Sequence, residues 1–310
     1  MTDQYLRKVS LIVTTGSDGI DLSNFRIVFT TTQMDAEAPN TAAIRIFNLS
    51  DATAKQVKDE GQRVVLQAGY QNGNFGVIFE GSIKQFRSGR LNATDKFLDV
   101  LAADGDQAYN FACVNKSLKA GSKLHDQVDA ILQETGTFDV EKGSIPNSLG
   151  TGGTLPRGKV LFGMARERLN DVCDSAGTTW SIQNGKIVII PLTGYAPGDI
   201  VVLNARTGMV GVPVATNDGI SVKSLLNPKV KIGTRVQIDN KSIVTTNIKE
   251  QGFPRYSDLS FPASVSADGV YRVLVAEHTG DTLGNEWYTD LTCLAMDSSA
   301  QPGDAVKAYG

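Results

Sequence analysis

The sequence predicts a mainly β protein with an α/β insert, and three observations predict this class. Short alternating segments rich in β-branched residues fill the first hundred of the 310 residues and return in the last third. Apolar residues at helical spacing are concentrated in the middle of the chain. Glycine is frequent, at 31 residues against a usual ~7% of a chain, which favours many turns between short elements.

The first part of the chain is predicted to fold as antiparallel strands with one short helix. Leu49-Ser50-Asp51 offers an N-cap for a helix over residues 52–60, and Gly61 closes that helix. Asn72-Gly73 is the signal of a tight hairpin. The predicted strands are residues 26–32, 41–48, 63–70, 75–81, 83–90 and 96–103. Strands of this number and length indicate a barrel or a sandwich.

The middle of the chain is predicted to be a small unit of helices packed on a hairpin. Ser122 is predicted to cap a helix that runs to about residue 133. A loop rich in Gly, Ser and Pro spans residues 143–158, and a second helix is predicted over residues 159–176. Asn184-Gly185 then predicts a type I′ turn between strands 178–183 and 186–190.

The last third is predicted to return to β structure and to repeat the first part. Its predicted strands are residues 220–226, 235–239, 242–249, 270–278 and 287–295, with a long loop over 251–268. Residues 61–67 resemble residues 233–239, and residues 73–79 resemble residues 269–275 in the same order. This self-similarity predicts a duplicated unit, although the spacings differ and generic β patterning is the alternative.

Composition and residue spacing argue against several classes of function. Lys plus Arg is 30 and Asp plus Glu is 33, so the chain lacks the basic excess of a general nucleic-acid binder. The three cysteines are far apart and form no CxxC pair, so buried thiols are predicted rather than a disulfide framework or zinc ribbon. His125 and His278, the two histidines, each have only isolated carboxylates nearby, and no metal or cofactor is predicted.

The sequence contains one imperfect phosphate-loop pattern and no clear catalytic motif. Residues 153–159 match G-x-x-x-x-G-K, but Val160 stands where the loop needs a Ser or Thr hydroxyl for magnesium. We interpret the segment as a junction between a loop and a helix. No GxSxG motif is present, and scattered carboxylates carry no information about glycoside hydrolysis. The protein is therefore predicted not to be an enzyme.

The N-terminal residues predict no secretion signal, and no long apolar run predicts a membrane-spanning helix. The opening MTDQYLRKVS is polar and lacks the apolar centre of a signal peptide. No run of about 18 apolar residues occurs. No membrane anchor is therefore expected.

Four phrases, taken in order, resemble the baseplate hub proteins of contractile-tailed bacteriophages. They are AIRIFNLS at 43–50, FEGSI at 79–83, LLNP at 225–228, and HTGDT at 278–282 followed by WYT at 287–289. The positions carrying the resemblance are Asn48, Leu49, Ser50, Gly81, Leu225, Leu226, Asn227, Pro228, Gly280, Asp281, Trp287 and Tyr288.

The resemblance implies two tail-tube-like antiparallel β-barrels plus a small helix-and-hairpin domain. The expected domains are a first barrel over residues 1–104, an α/β insert over 105–198 and a second barrel over 199–310, and the barrels can interleave in sequence. Hubs of this family are homotrimers whose six barrels imitate a six-fold ring. They join the six-fold tail tube, or its initiator protein, to the three-fold central spike.

The resemblance also implies a location and leaves two alternatives open. A hub lies in the tail baseplate of the virion, contacts other baseplate proteins, is assembled in the host cytoplasm and meets DNA only in transit. The first alternative is a tail component that binds or hydrolyses carbohydrate, for which Trp180, Trp287 and some of the tyrosines are the available aromatic residues. The second is a tail-tube or spike adaptor that forms a single barrel ring.

Overall fold

The fold was analysed in a computed structural model that describes residues 4–15, 18–150, 153–216, 219–245, 266 and 268–296. The chain is mainly antiparallel β with an α/β insert, so the predicted fold class is confirmed. Three buried apolar clusters divide the interior: one lies in the N-terminal strands, one in the insert and one in the C-terminal strands.

The first half of the fold consists of seven strands and one helix rolled around the first core. Along each strand, alternate side chains point inward, as Ile27 and Phe29 do. The elements are β1 (Arg7–Thr15), β2 (Asp18–Asp21), β3 (Ile27–Met34), β4 (Thr41–Phe47), α1 (Asp51–Glu60), β5 (Arg63–Tyr70), β6 (Phe75–Arg90) and β7 (Lys96–Ala103).

The insert packs its helices against a hairpin around the second core. Asn184 and Gly185 both have positive φ, at 52° and 73°, which is the predicted type I′ turn. The elements are α2 (Asp106–Phe111), β8 (Cys113–Leu118), α3 (Leu124–Thr135), a 3-10 turn (Gly136–Phe138), β9 (Glu141–Lys142), β10 (Lys159–Met164), α4 (Ala165–Ala176), β11 (Thr178–Ile182) and β12 (Lys186–Pro191).

In the second half of the fold, the described residues surround the third core with seven more strands. The elements are β13 (Val201–Leu203), β14 (Met209–Thr216), β15 (Gly219–Leu225), β16 (Arg235–Ile238), a 3-10 turn (Asn240–Ser242), β17 (Val244–Thr245), β18 (Val270–Asp281) and β19 (Trp287–Ala295). Of the strand predicted over residues 242–249, only Val244–Thr245 is a strand, and residues 246–249 lie outside the described residues.

The two halves share one strand order. Six strands of the first half lie in the order β3-β4-β7-β6-β5-β1, and six of the second lie in the order β14-β15-β19-β18-β16-β13. Numbered along the chain, both sets read 2-3-6-5-4-1. One pairing differs, because β1 runs antiparallel to β5 whereas β13 runs parallel to β16. The sequence similarities fall on β5 and β16 and on β6 and β18, which supports a duplicated unit.

The structure corrects the helix predicted over residues 159–176. Its first six residues form β10, which pairs with β8, and α4 begins only at Ala165. Leu161 is buried whereas Val160 and Phe162 are 66% and 72% exposed, so the segment alternates with the period of a strand. The imperfect phosphate-loop pattern therefore leads into a strand, where Lys159 Nζ donates to Gln127 Oε1 at 2.9 Å.

Other predicted boundaries and caps also change. The segments 75–81 and 83–90 form one strand, β6, whose ladder with β7 is interrupted by a bulge between Ile83 and Gln85. Ser122 does not cap α3: Lys123 precedes that helix, and its N–H donates to the Asp126 carboxylate at 2.7 Å. Gly61 closes α1 with extended rather than left-handed backbone. Strands β1, β2, β8, β13 and β14 were not predicted from the sequence.

Candidate assembly surface

Strand β18 joins the two halves into one sheet. Its first residues pair with β16 and contribute Tyr271 and Val273 to the third core. Beyond a bulge between Val273 and Val275 in its ladder with β19, it pairs antiparallel with β3 from Val275 to Asp281. The halves are therefore hydrogen-bonded edge to edge, and we call this junction the seam.

Trp287 of the second half packs into the first core beside the seam. It begins β19, yet its side chain is buried in the first core, with its ring centroid 5.5 Å from that of Phe29 at an interplanar angle of 73°. Gly280 lies beneath both rings, and a Cβ there would collide with them. Leu226 is buried in the same core, and its N–H donates to the Trp287 carbonyl at 3.0 Å. The second half thus contributes side chains to the core of the first.

A buried ion pair ties all three parts of the chain together. Arg272 of β18 pairs with Asp35, which follows β3, and their side chains are only 2% and 3% exposed. The Arg272 guanidinium also donates to Thr179 Oγ1 of the insert at 3.2 Å and to the Pro191 carbonyl at 2.8 Å. One side chain therefore links the second half, the first half and the insert.

Further polar contacts attach the insert to the first half. Asn40 Nδ2 donates to the Ile182 carbonyl at 2.8 Å, and Asp104 Oδ1 accepts the Gly185 N–H at 2.8 Å. Burial raises the pKa of Asp104 to about 6, against the opposing effect of its backbone hydrogen bonds. These contacts and the ion pair were not predicted from the sequence, because each joins residues more than 80 positions apart and no local pattern marks them.

His278 is a buried link in the seam rather than a metal ligand. Its Nδ1 lies 2.9 Å from Thr289 Oγ1, which also accepts the Asn227 N–H at 3.1 Å. The Thr289 hydroxyl can donate one hydrogen bond and accept two, so it satisfies the His278 Nδ1 in either neutral tautomer of the ring. Burial lowers the pKa of His278 to about 4, in agreement with a neutral ring.

The buried imidazole predicts a loss of stability in mild acid. Unfolding returns the pKa of His278 to about 6.5. Between pH 6.5 and 4 the unfolded chain is therefore protonated at His278 whereas the folded chain is not. The contribution of His278 is complete above pH 6.5 and falls by about 3 kcal/mol as the pH drops through 4. We expect His278→Asn, whose amide can hydrogen-bond but does not titrate, to flatten this part of the curve of unfolding free energy against pH. Parallel curves for the two proteins would contradict the prediction.

The signature positions of the first half surround the start of α1 and a crowded point of β6. Asn48 has a φ of 58°, and its Oδ1 accepts the Lys96 N–H at 3.0 Å. Leu49 is buried in the first core, and Ser50 caps α1 by accepting the Thr53 N–H at 3.0 Å. Gly81 lies where a Cβ would come within 2.8 Å of the Ala103 carbonyl oxygen. These roles are structural.

The signature positions of the second half gather around the seam. Asp281 pairs with Arg26, whose hydrogen bonds hold the pKa of Asp281 below its usual value. Leu225 packs against the first core, and Pro228 lies near Gly76 of β6. The remaining members are Leu226, Asn227, Gly280, Trp287 and Tyr288, of which Tyr288 pairs with Leu225 and Thr279.

The histidines, cysteines and carboxylates of the described ranges do not gather into a metal-binding cluster. Those ranges contain no cluster of three or more His, Cys, Asp or Glu side chains that could hold a metal ion. His125 Nε2 lies 3.0 Å from the Asn147 carbonyl, whereas Asp129 pairs with Lys142 instead. Cys113 is exposed, so the prediction of three buried thiols is wrong for that residue. Within the same ranges, no helix is long and apolar enough to cross a membrane.

Comparison with known proteins finds the fold among phage tail proteins. No family model matches the chain, and no curated protein matches it in sequence. The 43 kDa tail protein of prophage MuSo2 from Shewanella oneidensis superposes with a TM-score of 0.58 at 9% identity, covering 96% of this chain and 99% of that one. A tail protein from Neisseria meningitidis MC58 gives 0.55 at 10% identity, covering 97% and 99%.

A chain of a VgrG-containing complex shares the fold as well. A chain of the Francisella PdpA–VgrG complex gives a TM-score of 0.52 at 5% identity, covering 96% of this chain and 59% of that one. At such identities the likeness shows the fold alone. The fold of this chain is therefore one used by phage tail proteins, as the resemblance in sequence predicted, and also by a VgrG-containing complex.

Proposed function

We propose that this protein is a structural component of a phage tail, a baseplate hub that assembles as a homotrimer. It joins the six-fold tail tube, or the protein that initiates it, to the three-fold central spike and leaves a channel for DNA. It acts without catalytic turnover, within the baseplate of the virion, after assembly in the host cytoplasm. The domain boundaries at residues 104 and 198 are part of the proposal.

The observation that carries the proposal is the shared strand order of the two halves. A three-fold ring that must match a six-fold ring needs two similar units in each chain. Here each half has six strands in the order 2-3-6-5-4-1, and the seam joins the halves edge to edge. Three copies then present six units, and the likeness to tail proteins supports placing them in a tail.

The same observation separates the proposal from the single-ring adaptor, and the burial of the two tryptophans argues against the carbohydrate-binding alternative. An adaptor that forms a ring from one unit per chain does not need the second half. Of the aromatic rings that a carbohydrate-binding surface could use, Trp180 and Trp287 are only 2% and 1% exposed, so neither tryptophan supplies one. The hub is therefore the function that the geometry supports best.

The mass of the protein in solution tests the proposal. Light scattering on the purified chain is expected to give three times 33.2 kDa. Electron microscopy of the tail tip, with the protein located by a tag, is expected to place it in a ring of three-fold symmetry between tube and spike. A monomer at every concentration, or a protein absent from assembled tails, would overturn the proposal.

A further inference from the structure

The seam shows how one unit of this fold binds the next. In its ladder with β19, β18 has a bulge between Val273 and Val275. Beyond that bulge β18 offers one edge to β19 and the other to β3 of the first half. At the junction, the part of β18 beyond its bulge therefore pairs with β3, which is the first strand in the strand order of the other unit.

Strand β6 repeats the features of β18 in the first half. Both strands begin a hairpin, and the β6 ladder with β7 has its bulge between Ile83 and Gln85. Beyond the bulge β6 pairs with β7 along one edge, and no described residue pairs with its other edge from Lys84 to Arg90. By the shared strand order, this open edge corresponds to the edge of β18 that holds β3.

The backbone donors along this open edge can be identified. Before the bulge, the Ile83 N–H donates to the Gln62 carbonyl, away from β7. At the far end, the Leu91 N–H donates to the Asp95 carbonyl, on the β7 side. Because donors alternate along a strand, the N–H groups of Phe86, Ser88 and Arg90 point away from β7. An open edge with these donors is a template for another strand.

The partner strand in the second half is β14, which corresponds to β3. Among the described residues, its outer edge meets only β17, in two parallel pairs at Val214 and Ala215. The part before those pairs is open among the described residues and carries Val212, whose side chain is 59% exposed. The second half therefore presents an edge with an exposed apolar residue at the position that β3 occupies in the seam.

The two sets of ladders fix the register. From Ile83, which precedes the β6 bulge, the pairs pass through Ala102 and Ala42 to Thr31. From Val273 of β18, they pass through Cys293 and Ile220 to Ala215, so Thr31 and Ala215 are equivalent. Gly280 pairs with Phe29, two residues before Thr31. Arg90, the equivalent of Gly280, therefore falls opposite residues 211–213, beside Val212.

We propose that β6 of one copy pairs antiparallel with β14 of a second copy and takes the place of the two β17 pairs. This inference rests on the proposed function and names the contact between its subunits. Each chain then supplies one junction internally, the seam, and forms the equivalent junction with its neighbour. Such a head-to-tail contact closes a ring in which internal and external junctions alternate.

Disulfide trapping tests the register. The background is Cys113→Ser, because Cys113 is exposed. In that background, Arg90→Cys with Val212→Cys is expected to give a covalent trimer on a non-reducing gel after mild oxidation. Each single variant is expected to give none. Val160→Cys, on the exposed face of the insert, replaces Val212→Cys in the control pair and is expected to leave the chains unlinked.

A proline on the open edge tests the backbone contact. Ser88→Pro removes an outward N–H without touching the β7 ladder and is expected to convert the trimer to monomer. Ser88→Ala loses the same contact with Lys58, retains the N–H and is expected to stay trimeric. Circular dichroism of both variants checks that they remain folded.

The outcomes separate the inference from the proposed function. A wild-type trimer without the disulfide link, or one unaffected by Ser88→Pro, overturns the strand pairing and leaves the trimeric hub intact. A wild-type monomer at every concentration overturns both. Linked chains longer than three support the pairing and contradict the closed trimer.

Discussion

Replacing Arg272 with methionine is expected to lower the free energy of unfolding by about 3–5 kcal/mol, because it leaves the Asp35 carboxylate buried without its partner. Arg272 also donates to carbonyls that follow the insert hairpin and to Thr179. The side chain therefore touches all three parts of the chain. We expect every unfolding transition seen in urea to move to lower denaturant, at neutral pH, rather than only that of the second half.

The control for this variant removes both charges. Arg272→Met with Asp35→Leu leaves no unpaired ion and is expected to recover a large share of the lost stability, since buried ion pairs often roughly match apolar replacements. The stability of Asp35→Asn alone is expected to lie between that of Arg272→Met and that of the double variant, because Arg272 keeps its carbonyl partners. A single variant within about 1 kcal/mol of wild type, the range of exposed pairs, would show that the pair does not hold the parts together.

Elements with a strong local pattern could be predicted from the sequence. Strands β5, β7 and β19 match their predicted bounds: β5 and β19 alternate, and β7 is a short run that starts after the turn at residues 91–95 and ends before Asp104-Gly105. Helix α1 begins where Leu49-Ser50-Asp51 indicates, because the Ser50 hydroxyl satisfies a free N–H of the first turn. In these elements the local chemistry and the tertiary environment favour the same conformation.

Where the local signal was ambiguous, tertiary pairing decided the structure. Residues 159–164 have apolar positions compatible with a helix, but β8 offers them a complete antiparallel partner, and α4 starts after them. In β6 the sequence predicted two strands, 75–81 and 83–90, yet Ser82 between them pairs with Arg63 of β5 and with Ala103 of β7. Alternation alone cannot identify the partner strand, so such errors concentrate where a partner is distant in sequence.

The seam, the buried ion pair and the open edges of β6 and β14 were predictable only in part. The phrases around residues 225–228 and 280–288 do gather at the seam, although their side chains enter the core of the first half. The ion pair was not predictable, because Arg272 and Asp35 lie 237 residues apart and neither stands in a motif. The open edges of β6 and β14 became visible only when the two strand orders were compared.

The second large effect is expected at Trp287. Trp287→Ala removes the ring that packs on Phe29 and over which the Arg7 guanidinium lies, 5.5 Å from the ring centroid. A cavity of that size costs about 3–5 kcal/mol. Because Trp287 is buried in the first core, the loss should fall on the sheet. Far-UV circular dichroism is then expected to show a larger shift than the fluorescence of Trp180, the remaining tryptophan, in the insert.

Phenylalanine at each tryptophan provides the matched comparison. Trp287 Nε1 is buried with no hydrogen-bond partner among the described residues, whereas Trp180 Nε1 donates to Asn170 Oδ1 at 2.6 Å. Trp287→Phe therefore removes an unpaired donor, while Trp180→Phe leaves the Asn170 oxygen without one. We expect Trp287→Phe to cost less than Trp180→Phe despite the similar burial of the two rings. If Trp287→Ala shifted both signals equally, Trp287 would stabilise the whole chain rather than the first core, and the division into separate cores would have to be abandoned.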